Sequence, residues 1–224
     1  EDYQAKVHSG SPVEFLNAKE KTVKNRNGFE LKFDQCLIAS GATPFLPPIS
    51  GINSDRVYTM RTVDDAVRLK RALDRKPKKA LVIGASMVGI KLVEIFYNAG
   101  IKVCLADIAD RIFPLAAHPE CSQIIQDRLE NMGIKLRFSS GIKKVEETPG
   151  GIKAYFENSQ ETEEAEILVM CIGVRANIGF VDRDQIEVQQ GILINEKMET
   201  NVPGIYAAGD VAQGKNLLSG RHEI

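Results

Sequence analysis

The sequence predicts an α/β protein with a parallel sheet at its centre, and three features carry that expectation. A bounded apolar run, Ala80-Leu81-Val82-Ile83, is followed at once by a glycine-punctuated turn, Gly84-Ala85-Ser86-Met87-Val88-Gly89. Val88, Leu92, Ile95, Phe96 and Ala99 then recur on one helical face that stops at Gly100. A second apolar run, 101–106, delivers Asp107. Short runs that are apolar throughout suit strands covered on both faces, the usual condition of a parallel sheet.

This order of strand, turn, helix and strand is the Rossmann-like unit that binds dinucleotides. Gly84 permits a turn that a side chain would obstruct. The helix that begins there, through Ala85, Ser86, Met87 and Val88, aims free backbone N–H groups at a pyrophosphate. Gly89 lets the helix pack closely on the strand. Asp107 stands near the offset of roughly 20 residues expected for a carboxylate on the ribose hydroxyls. Its charge would repel a 2′-phosphate, so NAD(H) is expected over NADP(H). The middle glycine of G-x-G-x-x-G is Ser86 here. A serine facing the pyrophosphate is expected to lose some closeness without abolishing the site.

The other elements follow in chain order. Residues 1–40 read as β-rich, with short strands at 12–17, 21–24, 29–33 and 36–39 and a hairpin turn at Asn27-Gly28. Ser40 leads into a stiff, proline-rich passage ending at Pro47-Pro48, which marks a boundary placed at 53/54. Thr62, with Asp65 three residues on, reads as an N-cap for a helix carrying Ala66, Leu69 and Leu73 on one face. After the dinucleotide unit comes a helix through Ile124, Ile125, Leu129 and Met132, closed by Gly133, and then a third strand at 134–138. Strands at 142–147 and 151–157, joined by Thr-Pro-Gly-Gly, read as a hairpin and give the fold its β-meander. The run 166–172 is a last apolar strand ending at Gly173. In the tail, 191–194 is a strand, and 200–210 is a strand running into Gly209-Asp210.

Composition excludes several classes. The 224 residues suffice for one or two domains, and 43% hydrophobic with 26% charged residues is ordinary for a soluble globular chain. A net charge of −1 offers no basic surplus for nucleic acid or an anionic membrane. No apolar run approaches the roughly 18 residues needed to span a bilayer, and no signal peptide opens the chain, so a cytoplasmic protein is expected. Cys36, Cys104, Cys121 and Cys171 lack metal-site spacing. Cys36, Cys104 and Cys171 lie in apolar runs and read as small core residues. The three histidines are scattered, so no metal is expected. The start at Glu1 reads as a piece of a longer protein.

Five stretches taken together resemble a known family. Leu37-Ile38-Ala39-Ser40-Gly41-Ala42-Thr43-Pro44, residues 82–94, residues 103–114, residues 169–177 and residues 202–210 occur in the order found in the FAD- and NAD(P)H-dependent pyridine nucleotide-disulfide oxidoreductases. The resemblance is to the rubredoxin, ferredoxin and nitrite reductase-like branch, with relatives of apoptosis-inducing factor, and covers nearly the whole chain. It implies an NAD(H)-binding domain at 54–176 flanked by partial FAD-binding segments at 1–53 and 177–224. It further implies that Gly41 and Gly209 lie on the FAD side and that Asp210 holds the flavin's ribityl chain. Gly173 and Arg175 would lie beside the NAD where its domain ends. A carboxylate after a glycine at a strand end can accept hydrogen bonds from sugar-alcohol hydroxyls, which suits Asp210 independently.

The chain departs from the family pattern in two places. No second G-x-G-x-x-G precedes residue 40, so the first half of the FAD domain is expected to lie outside this sequence. Lys91 stands where the family carries a glutamate close to nicotinamide and flavin. A cation there would alter the field during hydride transfer, unless the side chain points to solvent; Glu94 reads as a helix-surface charge. The resemblance implies an NADH-dependent FAD oxidoreductase with cofactors FAD and NAD(H). Hydride would pass from NADH to the flavin, and electrons on to a disulfide, a small redox protein or oxygen, the acceptor being unspecified. The alternative is an NAD(H)-binding redox-sensing module. A thioredoxin reductase would carry CxxC in its NAD domain, and none is present. No residue reads as a nucleophile or general base, so no catalytic residue is assigned, and the absence of the usual dimer domain leaves a homodimer open.

Overall fold

The structure, a computed structural model, describes residues 5–157 and 159–223. The chain divides into two compact units, 1–43 with 175–224 and 44–174. The first unit opens with β1 (Phe15–Asn17), β2 (Thr22–Lys24) and β3 (Glu30–Lys32), an antiparallel sheet in that order. β4 (Cys36–Ile38) follows, and β5 (Ala42–Pro44) carries the chain out of the unit.

The second unit is a three-layer sandwich. β6 (Val57–Tyr58) leads into α1 (Val63–Leu73), whose Thr62 and Asp65 close the expected reciprocal cap. Then come β7 (Lys79–Ile83), α2 (Met87–Asn98), β8 (Lys102–Ala106), α3 (Pro119–Asn131) and β9 (Lys135–Arg137). β10 (Ile142–Thr148), β11 (Gly151–Phe156) and β12 (Thr162–Ala165) form an antiparallel meander, and β13 (Ile167–Met170) returns to the main sheet. That sheet has the order β6-β13-β7-β8-β9, and every pair in it is parallel.

The alternation of side chains sorts the sheet into two cores. Ala80, Val82, Val103, Leu105 and Val169 pack against Leu69, Leu92, Val93, Phe96 and Leu129 of the helices. Leu81, Ile83, Cys104, Leu168 and Met170 pack against Val145, Ile152, Ala154 and Phe156 of the meander. Both faces are therefore covered, which is why the buried positions of β7, β8 and β13 are apolar without alternation, the first residues of β7 and β8, Lys79 and Lys102, being exposed. The apolar face of α2 departs from the expected one. Its buried residues are Gly89, Leu92, Val93 and Phe96, while Val88 and Ile95 are exposed. The stripe is centred one residue further round because Gly89, not Val88, makes the closest approach.

The units divide at 43/44 and 174/175 rather than at 53/54 and 176/177. The proline-rich passage is part of the second core instead of a linker: Ile49 and Ile52 pack with Val57 and Val145, and Val145 N–H donates to Ser50 O at 2.9 Å.

The chain re-enters the first unit through β14 (Val174–Ala176) and continues into β15 (Ile192–Leu193), β16 (Ile205–Ala207), β17 (Ala212–Lys215) and β18 (His222–Glu223). β16 pairs with β4 and β15 with β17, both in parallel. Leu16, Ile38, Ile186, Ile192, Ile205 and Val211 form the core of this unit.

Candidate functional site

The C-terminal ends of β13, β7 and β8 open onto a crevice of about 360 Å³. It is lined by Ala85, Ser86 and Met87 after β7, by Asp107, Ile108 and 113–116 after β8, and by Cys171, Ile172 and Gly173 after β13. This is where ligands sit in open parallel sheets, because the loops diverge there and helix N-termini point outward. A larger cavity, about 620 Å³, lies in the other unit between 194–199 and 214–222. Size does not decide between them, since only the smaller one has a helix N-terminus aimed into it.

Two glycines set the shape of the turn. Gly84 adopts φ +111°, and a Cβ on it would stand 2.3 Å from Cys171 O. A Cβ on Gly89 would stand 1.9 Å from Gly84 O, with Val82 Cγ1 at 3.5 Å. The closest approach of α2 is thus to the turn itself more than to the strand. Ser86 caps α2: its Oγ accepts from Gly89 N–H at 3.3 Å and donates to Cys171 O at 3.0 Å. The serine expected to face the pyrophosphate with some loss of closeness instead turns its hydroxyl to Gly89 N–H of the helix and to the Cys171 carbonyl after β13.

The N–H groups of Ser86, Met87 and Val88 have no protein acceptor among the described residues. Three adjacent free donors at a positive helix end are suited to a phosphate group. Ala85 N–H is engaged, donating to Asp107 Oδ2 at 2.5 Å, while Asp107 Oδ1 accepts from Ala109 N–H at 2.8 Å. Each carboxylate oxygen keeps a lone pair for a ligand hydroxyl. The donor set and the adjacent acid therefore fit a diphosphate joined to a sugar.

The structure brings Ala85, Ser86, Met87, Asp107 and Gly173 to one crevice, with Gly84 and Gly89 shaping the turn and Val88 contributing only its N–H. Arg175 falls in the other unit. Within that unit, β4 and β16 end side by side, so Gly41 (φ +64°) and Gly209-Asp210 (Gly209 φ +75°) follow neighbouring strand ends. Asn177 fixes the first of these turns: its N–H donates to Gly41 O and its Nδ2 to Ser40 O, both at 2.9 Å. Lys91 is exposed and pairs with Glu94 at 2.9 Å on the surface of α2.

Sequence reasoning missed Ile108, Phe113, Leu115 and Ile172 as lining residues, and the Cys171 carbonyl as a partner of the turn. The signal was there in part, since Ile108 and Leu115 are large apolar residues left exposed in a loop. Phe113 N–H donates to Ala85 O at 3.1 Å, which ties that loop to the glycine turn. No group of metal-binding residues occurs among the described residues.

A family model described as pyridine nucleotide-disulphide oxidoreductase matches residues 3–222. An NADH oxidase of Methanocaldococcus jannaschii is 30% identical over 215 residues, covering 95% of this chain and 48% of that protein. A nitric oxide reductase FlRd-NAD(+) reductase of Klebsiella pneumoniae is 27% identical over 95% of this chain and 55% of its own length. Among solved structures, the water-forming NADH oxidase from Lactobacillus brevis bound to NADH superposes with a TM-score of 0.88 at 23% identity, covering 95% of this chain and 48% of that one. An NAD-dependent persulfide reductase from A. fulgidus gives 0.86 at 26% identity, covering 95% and 40%. The chain spans about half the length of the relatives it matches.

Proposed function

The chain belongs to the pyridine nucleotide-disulphide oxidoreductase family, and from that membership we propose that its second unit is the NADH-binding domain of an FAD-dependent oxidoreductase. On this reading the N–H groups of Ser86, Met87 and Val88 hold the pyrophosphate, and Asp107 accepts from the adenosine ribose hydroxyls. The turn after β8, with Ile108 and Leu115, takes the adenosine half. The turn after β13, with Ile172 and Gly173, takes the nicotinamide half, because it lies on the opposite side of β7. Gly173 at φ +99° leaves the backbone bare there, and the apolar rim of Met87 and Ile172 excludes water from the reacting face. In the first unit the adjacent turns with Gly41 and with Gly209-Asp210 are the FAD-side contacts, Asp210 accepting from ribityl hydroxyls. When bound, NADH supplies a hydride and FAD accepts it and passes electrons onward. The protein's own part is alignment. Lys91 in this reading is a surface charge paired with Glu94.

The observation that carries the reading is the trio of free N–H groups beside a carboxylate at the C-terminal ends of the neighbouring strands β7 and β8. The test is a titration of the chain with NADH and with NADPH, with flavin content recorded from the absorption spectrum. NADH should bind more tightly than NADPH. Tighter binding of NADPH, or no binding of either, refutes the assignment. For the whole protein, steady-state NADH oxidation with an artificial acceptor separates a reductase from a sensor that binds without turnover.

A further inference from the structure

Resting on the dinucleotide reading above, we infer that Asp107 is a positioning residue for the phosphate-binding turn in addition to accepting from the ribose. Its Oδ2 takes the Ala85 N–H at 2.5 Å, a short, charge-assisted contact. The main chain of Asp107 is itself pinned: its N–H donates to Arg137 O and its C=O accepts from Ser140 N–H, each at 2.9 Å. Ala85 is pinned in return. Its side chain is fully buried, its N–H is held by Asp107 and its C=O accepts from Phe113 N–H. The peptide entering Ala85 therefore cannot rotate while the carboxylate is in place. That orientation turns the Ala85 donor away from the crevice and leaves Ser86, Met87 and Val88 as the phosphate donors. Without the carboxylate, Ala85 N–H would lose its acceptor, and the turn would have a second orientation open to it. One side chain thus couples the ribose subsite to the pyrophosphate subsite, and neither a ribose acceptor alone nor a turn alone would do so.

A ligand–mutant cycle tests this. NADH and its analogue lacking both adenosine ribose hydroxyls are titrated against the wild-type chain and Asp107→Ala. A residue that only accepts from the ribose would leave the analogue's affinity unchanged on mutation, and that result overturns the inference. The expected result is a loss of about tenfold for the analogue, the size of one charge-assisted hydrogen bond. The second readout needs no ligand. The Ala85 amide proton should resonate well downfield in the wild type and return to the ordinary range in Asp107→Ala, or shift measurably in Asp107→Asn if the alanine variant does not fold. An Ala85 resonance indifferent to both substitutions also overturns the inference. Failure of the wild type to bind NADH at all would instead remove the dinucleotide reading, while the amide shift still decides the clamp.

Discussion

Replacing Gly89 with alanine sets two known effects against each other. Alanine in a helix interior is favoured over glycine by about 1 kcal/mol, so on propensity alone Gly89→Ala stabilises. Against this, the new Cβ would lie 1.9 Å from Gly84 O and 3.1 Å from Gly84 C. A carbon rests about 3.3 Å from a carbonyl oxygen at closest ordinary contact, so α2 or the turn must yield by more than an ångström. The obstructing atom is backbone, and Gly84 cannot retreat, because it is itself close against the Cys171 carbonyl. Overpacking of this kind costs about 1–3 kcal/mol, with the upper end fitting a rigid obstacle. The net expectation is destabilisation of about 1–2 kcal/mol, or roughly 2–8 °C in melting temperature for a chain of this size. Displacing α2 also moves Met87 and Val88 N–H relative to the turn, so NADH affinity should fall by about tenfold or more. Thermal unfolding followed by circular dichroism and an NADH titration read the two effects separately. The control is Lys91→Ala, an exposed site on the same helix, which should change stability by no more than about 0.5 kcal/mol. A Gly89→Ala chain that melts higher and binds NADH normally would refute the steric argument.

Asp107→Arg should move preference toward NADPH by losing NADH affinity rather than by gaining NADPH affinity, since it also removes the acceptor for Ala85 and Ala109 N–H; an unchanged preference ratio in titrations would remove Asp107 from the ribose contact. Partial burial works against ionisation of Asp65, but N–H and hydroxyl donors from Thr62, Thr59 and Arg61 outweigh it and hold its carboxyl below the ordinary 3.8. A depressed folded value means the stabilisation is complete above 3.8 and fades as pH falls through the folded value. Asp65→Asn should therefore cost about 1 kcal/mol at neutral pH, with the gap to wild type closing below about pH 4; a gap constant down to pH 2 counts against it. Alkylation of the native chain at pH 8 should label the exposed Cys121 first. Burial slows Cys36 and pushes Cys104 and Cys171 up to about 12, so mass spectrometry finding either of the last two labelled as fast as Cys121 would contradict the packing.

The central strands of the parallel sheet are legible because they are covered on both faces and so carry unbroken apolar runs, 80–83 in β7, 103–106 in β8 and 167–170 in β13. The cap at Thr62 and Asp65 was legible because a cap is local. The first boundary was not. Pro47-Pro48 signals stiffness, but stiffness does not say which core a segment joins, and Ile49 and Ile52 are decided by packing with Val145, far along the chain. β17 was missed for a different reason. Ala212-Gln213-Gly214-Lys215 has no apolar rhythm, yet Gln213 is buried, its Oε1 accepting from Gln190 and Gly191 N–H and its Nε2 donating to Gln189 Oε1 and His222 O. A polar strand of that kind is held by long-range hydrogen bonds that no window of sequence contains.

The candidate site divides along the same line. Gly84, Gly89 and Asp107 are recoverable from spacing because each answers a requirement of the turn: a left-handed φ, a missing Cβ and a charge at a strand end. What spacing cannot supply is the destination of each polar group once the turn has formed. Position in the motif places Ser86 toward a ligand, whereas its hydroxyl is taken up by Gly89 N–H and Cys171 O. Spacing marks Asp107 as a ligand contact, whereas its carboxylate already serves two N–H groups of the protein. Both side chains meet internal demands first, because buried or crowded donors and acceptors left unpaired are costly. A base at this strand end leaves Ala85 N–H without its acceptor, so tight NADPH binding, as distinct from a mere loss of NADH affinity, should require compensating substitutions in the turn as well as at position 107.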